Sequence, residues 1–237
     1  MNTSSQSASS VSIIIRTLNE SAGISQLLQA LESQSIKPRE VIVVDSGSSD
    51  NTVSLAREHM VTVLCLTQSE FSYGRALNLG FASATGEIVV ALSAHALPKN
   101  NRWLYTLIQH FADPKIAAAS SRILPFPASC PLHNYGWHSA FYVRRQQCKN
   151  AFSVFWNTSA AYRKAIWDEI HFNEAISAGE DREWARRART RGYEFVYEPQ
   201  SIVFHCHRES YGRYLRRLFA LISVECKLFL GSAFEGN

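Results

Sequence analysis

The sequence predicts an α/β protein with a mostly parallel central sheet flanked by helices. Three observations carry that expectation. Short runs of apolar, largely β-branched residues at 11–15, 41–44 and 87–92 each end directly in a polar turn. The segments between them, led by 21–33, place apolar residues at helical spacing. Their alternation as strand, helix and strand is that of right-handed parallel crossovers, whose ligands bind beyond the carboxyl ends of the strands. With 237 residues, of which 46% are hydrophobic and 19% charged, the chain is long enough to bury a core and too apolar to remain disordered.

Residues 11–15 form the first strand, and Arg16, Thr17, Leu18, Asn19 and Glu20 follow as a ligand-type loop. Ile24, Leu27, Leu28 and Leu31 then share one helical face, and Pro38 breaks that pattern before the apolar strand 41–44. The second strand has a carboxylate at its tip, Asp45, followed by turn residues and a helix cap at Asp50 or Asn51. A helix over 52–59, a strand over 61–66, a loop over 70–74 and a helix over 75–84 ended by Gly86 come next. Residues 88–98, Ile-Val-Val-Ala-Leu-Ser-Ala-His-Ala-Leu-Pro, read as a buried strand that delivers Ser93 and His95 to the rim of the sheet. Strand-helix units converging on one edge make a Rossmann-like, nucleotide-binding architecture.

After residue 98 the expected order is a helix over 99–111, a strand over 117–123, and an irregular stretch over 124–149. That stretch, with its prolines and aromatics, suits the covering of a cleft. Strand and turn over 151–162 and a helical turn over 163–169 lead to Gly179-Glu180-Asp181 and a basic helix to Arg191. Short strands over 193–198 and 202–204 follow, the second running into His205-Cys206-His207, and an amphipathic helix over 211–230 ends the pattern. The composition shifts near residue 125. The expected organisation is a flexible 1–10, a ligand-binding half over 11–98, a second half of the same domain over 99–210, and the amphipathic 211–237.

A formal net charge of +4 is too small to argue for nucleic acid, but it permits a polyanionic ligand or an anionic membrane surface. The cysteines at 65, 130, 148, 206 and 226 are odd in number and scattered, which fits a reducing cytoplasm better than a disulfide scaffold. The first ten residues are polar and Ser-rich without the apolar core of a signal peptide, and no apolar run reaches the roughly 18 residues of a membrane span. The expectation is a cytoplasmic protein, with peripheral contact on the inner face of a membrane through the C-terminal helix as the one alternative.

Taken in order, residues 11–20, 41–52, Gly74-Arg-Ala-Leu-Asn78, 86–98 and 172–192 resemble the family 2 glycosyltransferases of the GT-A fold, over nearly the whole of 11–210. The Ser-Ala-His-Ala strand end, with Tyr-Gly-Arg-Ala-Leu-Asn upstream and His-Cys-His downstream, is similar to bacterial rhamnosyltransferase-type members. The resemblance implies inverting transfer of a sugar, rhamnose or another deoxysugar, from a nucleoside-diphosphate donor to a carbohydrate or lipid-linked acceptor. The first half then binds the nucleotide sugar, and the second binds the acceptor and supplies catalysis. A non-catalytic nucleotide-sugar-binding scaffold is the alternative of another class. A sugar nucleotidyltransferase fits less well, because no Gly-rich phosphate loop follows the first strand.

Such chemistry needs a nucleotide cradle, compensation of the charge on the leaving diphosphate, and a base for the acceptor proton. Thr17, Asn19, Glu20 and Asp45 stand at strand tips where a base or ribose is held, and Arg75 matches a nucleotide-contacting position of the family; solvated or turn-forming roles are the plain alternatives. The family's metal-binding Asp-X-Asp is replaced by Ser93, Ala94 and His95. His95 with His205 or His207 leaves open a divalent ion, with imidazole favouring Mn2+ over Mg2+. Direct phosphate neutralisation by His95 and Arg75, or a satisfied turn histidine, are the other readings. Glu180 and Asp181 match the family's carboxylate pair, and Asp181 is the expected base. Trp137, His138, Phe141, Trp156 and Trp184 are candidates for stacking on acceptor sugars, against the commoner role of aromatics in a core.

Overall fold

The computed structural model describes residues 10–126, 148–149 and 155–205. Four strands, β1 (Val11–Thr17), β2 (Glu40–Asp45), β3 (Thr62–Cys65) and β4 (Ile88–Ser93), pair in parallel in the order 3-2-1-4. Their crossovers are α1 (Ile24–Glu32), α2 (Thr52–Arg57) and α3 (Tyr73–Ser83). Alternation along the strands gives each face its own core. Ile13, Ile15, Val43, Val90 and Leu92 pack with Leu27, Leu28 and Ala56 of α1 and α2. Ile14, Val44, Val89 and Ala91 pack with Ala76, Leu77 and Phe81 of α3 on the other face.

The remaining strands are β5 (Ala96–Pro98), β6 (Ile116–Leu124), β7 (Cys148–Lys149), β8 (Ser159–Arg163) and β9 (Glu194–His205). They alternate with α4 (Trp103–Ile108), continued by a 3-10 turn Gln109–Ala112, and with α5 (Lys164–Glu169) and α6 (Glu180–Thr190). Among the described residues all nine strands join one sheet of order 3-2-1-4-8-6-9-5, with β7 paired to β9. The sheet is thus parallel across its first four strands and mixed beyond them. β8 runs antiparallel to β4 and begins opposite Leu92, so the turn that precedes β8 lies beside the carboxyl end of β4. That reversal brings residues 157–158 of the second half of the chain to the rim of the first.

Three local outcomes differ from the expectation. Arg16 and Thr17 belong to β1 rather than to the loop. Ala96–Pro98 forms a short strand antiparallel to β9, so only residues 94–95 make the turn after β4. Residues 194–205 are one strand, because the polar Glu198-Pro199-Gln200 segment is accommodated as a bulge where pairing jumps from Ser121↔Glu198 to Arg122↔Ile202. Two glycines are fixed by close approach: a Cβ on Gly80 would lie 2.3 Å from Ile14 Cγ2, and one on Gly86 2.7 Å from the backbone nitrogen of Ser12.

The flexible N-terminus expected over residues 1–10 lies outside the described residues except for Ser10, and so do Trp137, His138, Phe141, His207 and the amphipathic helix over 211–237. Among the described residues no helix is long and apolar enough to cross a membrane.

Candidate active site

At the tips of β1 and β2 the expected nucleotide residues form one hydrogen-bonded cradle. Asp45 is buried, and its carboxylate accepts from Thr17 Oγ1 (2.9 Å), Ser48 Oγ (2.5 Å), Gly47 N (3.0 Å) and Ser48 N (2.9 Å). Those bonds fill the carboxylate's acceptor positions, so Asp45 shapes the 46–48 turn, and a ligand would have to displace Ser48 Oγ to reach it. Asn19, with φ of 56°, donates its backbone N–H to Ser48 Oγ and accepts from the N–H of Ser49. Asp50 accepts from the backbone N–H groups of Ser21 and Thr52, which ties the entries of both helices together. Against an opposing contribution from burial, the bonds from Thr52 and Ser21 hold Asp50 at about 2.

The rim of β4 carries a second cluster. His95 Nδ1 lies 2.7 Å from Glu20 Oε1, and His95 Nε2 lies 3.2 Å from Ser93 Oγ. A carboxylate only accepts, so Nδ1 carries the hydrogen and Nε2 is turned to the Ser93 side. The pairing Ala96↔His205 between β5 and β9 sets the His205 ring 4.7 Å from the His95 ring. Among the described residues no three His, Cys, Asp or Glu side chains converge as a cation site. Two adjacent imidazoles, one with its far nitrogen bonded to a carboxylate, nevertheless have the character of a metal-ligating pair, for which that outer bond is usual.

The third cluster forms at the N-terminus of α6, where Gly179 takes φ of 78° to turn the chain into the helix. Asp181 Oδ2 accepts the backbone N–H of Asn157 (3.0 Å), and Oδ1 that of Arg182 (2.8 Å). Glu180 Oε1 accepts from Asn157 Nδ2 (3.1 Å) and lies 3.6 Å from Arg16 Nη1. Both carboxylates are buried. Burial first, and then the charge of Asp181, push Glu180 above the usual carboxylate range, while Arg16 and Asn157 pull it back. Asn157 is orientated by Tyr162, whose hydroxyl donates to Asn157 Oδ1. Tyr162 is itself pushed up by burial and by both carboxylates, so it stays a hydroxyl donor and leaves Nδ2 to face Glu180.

The clusters meet through one short turn. Ser93 N–H donates to the carbonyl of Thr158 (3.1 Å), and the neighbouring Asn157 holds both Glu180 and Asp181. Arg16 stands opposite Ser93 in the β1–β4 register. The structure therefore gathers Ser93, His95, Glu20, His205, Glu180 and Asp181 along the carboxyl edge. Arg75 is half exposed on the first turn of α3, 3.8 Å from Glu70. Trp184 lies in the core rather than at the rim: it is fully buried, donates its indole N–H to the Ile170 carbonyl and packs edge-on to Tyr162 on the buried face of α6. Trp156 has Arg182 Cζ 4.2 Å over its ring. Asn157, Tyr162 and Arg16 escape a reading of the sequence, since no local pattern announces contacts made across such separations.

The sequence profile described as glycosyl transferase family 2 matches residues 12–170. The O-antigen chain rhamnosyltransferase RfbN of Salmonella typhimurium is 30% identical over 219 residues, covering 86% of this chain and 70% of that protein. The pre-mycofactocin glycosyltransferase of Mycobacterium tuberculosis is 30% identical over 84% of this chain and 43% of its own length. Among solved structures, the mannosyltransferase PcManGT from Pyrobaculum calidifontis in complex with GDP-Man and Mn2+ superposes with a TM-score of 0.71 at 25% identity, covering 94% of this chain and 66% of that one. S. aureus TarS 1-349 in complex with UDP-GlcNAc superposes with a TM-score of 0.65 at 19% identity, and this chain spans 59% of it.

Proposed function

The chain belongs to glycosyltransferase family 2, and from that premise we propose that it moves rhamnose or a related deoxysugar from a nucleoside-diphosphate donor to a hydroxyl of a carbohydrate or lipid-linked acceptor. The observation that carries this reading is the buried Glu180–Asp181 pair, linked through Asn157 and Thr158 to the strand end that bears Ser93 and His95. Similarity to an O-antigen rhamnosyltransferase over most of the chain supports the choice of sugar.

In the proposed single displacement, the acceptor O–H gives its proton to Asp181 as its oxygen attacks the anomeric carbon. The bond from that carbon to the diphosphate oxygen breaks with its electron pair leaving on the diphosphate, and the configuration inverts. Asn157 and Arg182 hold Asp181 from behind with backbone N–H groups, and the helix N-terminus favours its negative charge. The diphosphate departs toward Ser93 and His95, and Glu20 keeps the His95 ring turned so that Nε2 faces it. His95 and His205 would hold a divalent ion, which supplies positive charge against the leaving diphosphate when bound. That proposal gains support from the Mn2+ in the complex of PcManGT.

The donor side is tested by calorimetric titration with dTDP-rhamnose, GDP-mannose and UDP-GlcNAc, each with Mn2+ and with excess chelator. Binding of dTDP-rhamnose that weakens at least about tenfold in chelator, or in His95→Ala, is the expected result. Binding of none of the three would contradict the donor assignment, and undiminished binding in chelator would contradict the metal.

A further inference from the structure

Arg16 is a largely buried cation in the active-site region that carries no role in the transfer described above. As the next inward neighbour of Ile14 on the same face of β1, it reaches the layer occupied by α3 and α6 rather than the layer of α1. Its guanidinium lies 5.0 Å from the Tyr73 ring at the start of α3 and 3.6 Å from Glu180 at the start of α6. Its Nε and Nη1 are buried and make no hydrogen bond among the described residues. A guanidinium does not shed its proton in a protein, so one held at this depth needs an opposing charge. Glu180 supplies it.

We propose that Arg16 is a positioning residue for sugar transfer, tying the donor-binding strand β1 to the catalytic carboxylates of α6 through Glu180. The proposal rests on Asp181 acting as the base. Glu180 and Asp181 put two like charges on adjacent residues in a buried site. The ionisable groups that bear on the pair are Arg16 from β1, Tyr162 from β8 and Arg182 from α6 itself. Arg182 acts on Asp181, whereas Arg16 acts on Glu180. Without Arg16, Glu180 would take up a proton at a higher pH and lose its reason to stay beside the Asn157 amide. The Asn157 side that fixes Asp181 would then be less well held. Arg16 also stands opposite Ser93 in the register, so one residue connects the place where the diphosphate leaves to the place where the proton goes.

The test reads the Glu180 side-chain carboxyl carbon by NMR across pH in the ligand-free protein, with Glu180→Gln to assign the signal. In Arg16→Met the titration midpoint of Glu180 should rise by about one unit or more, the scale of losing a nearby opposite charge, and Arg16→Lys should recover most of that shift. Arg16→Gln, which keeps a polar side chain against Tyr73, gives a second neutral variant should methionine prevent folding. A midpoint that stays put in both neutral variants would overturn the role of Arg16. Release of dTDP from dTDP-rhamnose by Asp181→Asn separates the two levels. Full turnover there would overturn the base assignment, while an inactive Asp181→Asn with an unmoved Glu180 midpoint would overturn the Arg16 proposal alone.

Discussion

Asn157 is the residue on which the geometry of the carboxylate pair depends. Its backbone N–H reaches Asp181, its amide nitrogen reaches Glu180, and its amide oxygen is committed to Tyr162. Replacing Asn157 by Ala leaves the Tyr162 hydroxyl and one Glu180 oxygen without that partner, at a cost of about 1–3 kcal/mol in folding stability. Thermal or denaturant unfolding measures it, and Tyr162→Phe should cost less because the phenyl ring keeps its packing against Phe81, Phe155 and Trp184. A second expectation concerns pH. Glu180 is displaced upward by burial first and then by the charge of Asp181, so its proton leaves above the ordinary glutamate range. The acidic limb of a kcat profile should therefore lie above the usual carboxylate value and move down in Glu180→Gln. A profile that is identical in that variant would detach Glu180 from the reaction.

At the scale of elements, the parallel half follows from local pattern and the antiparallel contacts do not. The β-branched runs and the Leu27, Leu28 and Leu31 face are short-range signals, and they return as β1, α1 and β2 with ends displaced by a few residues. The Gly-Arg-Ala-Leu-Asn stretch is legible only in part. Gly74 is required because a Cβ there would lie 2.5 Å from the carbonyl oxygen of Asn173, and Asn78 bonds the backbone of Phe172 on both sides. Those are packing duties that link α3 to the chain ahead of α6, invisible from spacing alone. The tight seat of α3 on β1 predicts that Gly80→Ala, forcing a methyl against Ile14, destabilises the protein by about 1–3 kcal/mol, measurable by chemical unfolding. Trp184→Ala should cost about 3–5 kcal/mol by the same measurement, since it empties the centre of the α6 interface. A loss of acceptor affinity without loss of stability would return Trp184 to the site.

Across the whole molecule, the site exists because one sheet carries two kinds of strand order. The parallel half brings Asp45, Asn19, Glu20 and Ser93 to a common edge; the reversed β8 sets Asn157, with Glu180 bonded to it, beside that edge, and β9, which runs parallel to β4, ends there with His205 paired to β5. The roles proposed for Asp181 and His95 follow from resemblance to a family, but their juxtaposition rests on the β4–β8 and β5–β9 pairings, which no local periodicity encodes. The same view explains why Asp45 ends as a turn anchor in the structure: a carboxylate at a strand tip is filled by the nearest N–H groups when its own loop curls back. The central claim is that Asp181 takes the acceptor proton in a working transferase. The most direct measurement is donor binding and sugar transfer by Asp181→Asn beside the unaltered protein. Donor affinity within a few-fold of the unaltered protein with transfer reduced about 10²-fold or more is the predicted result; transfer at the unaltered rate would contradict it.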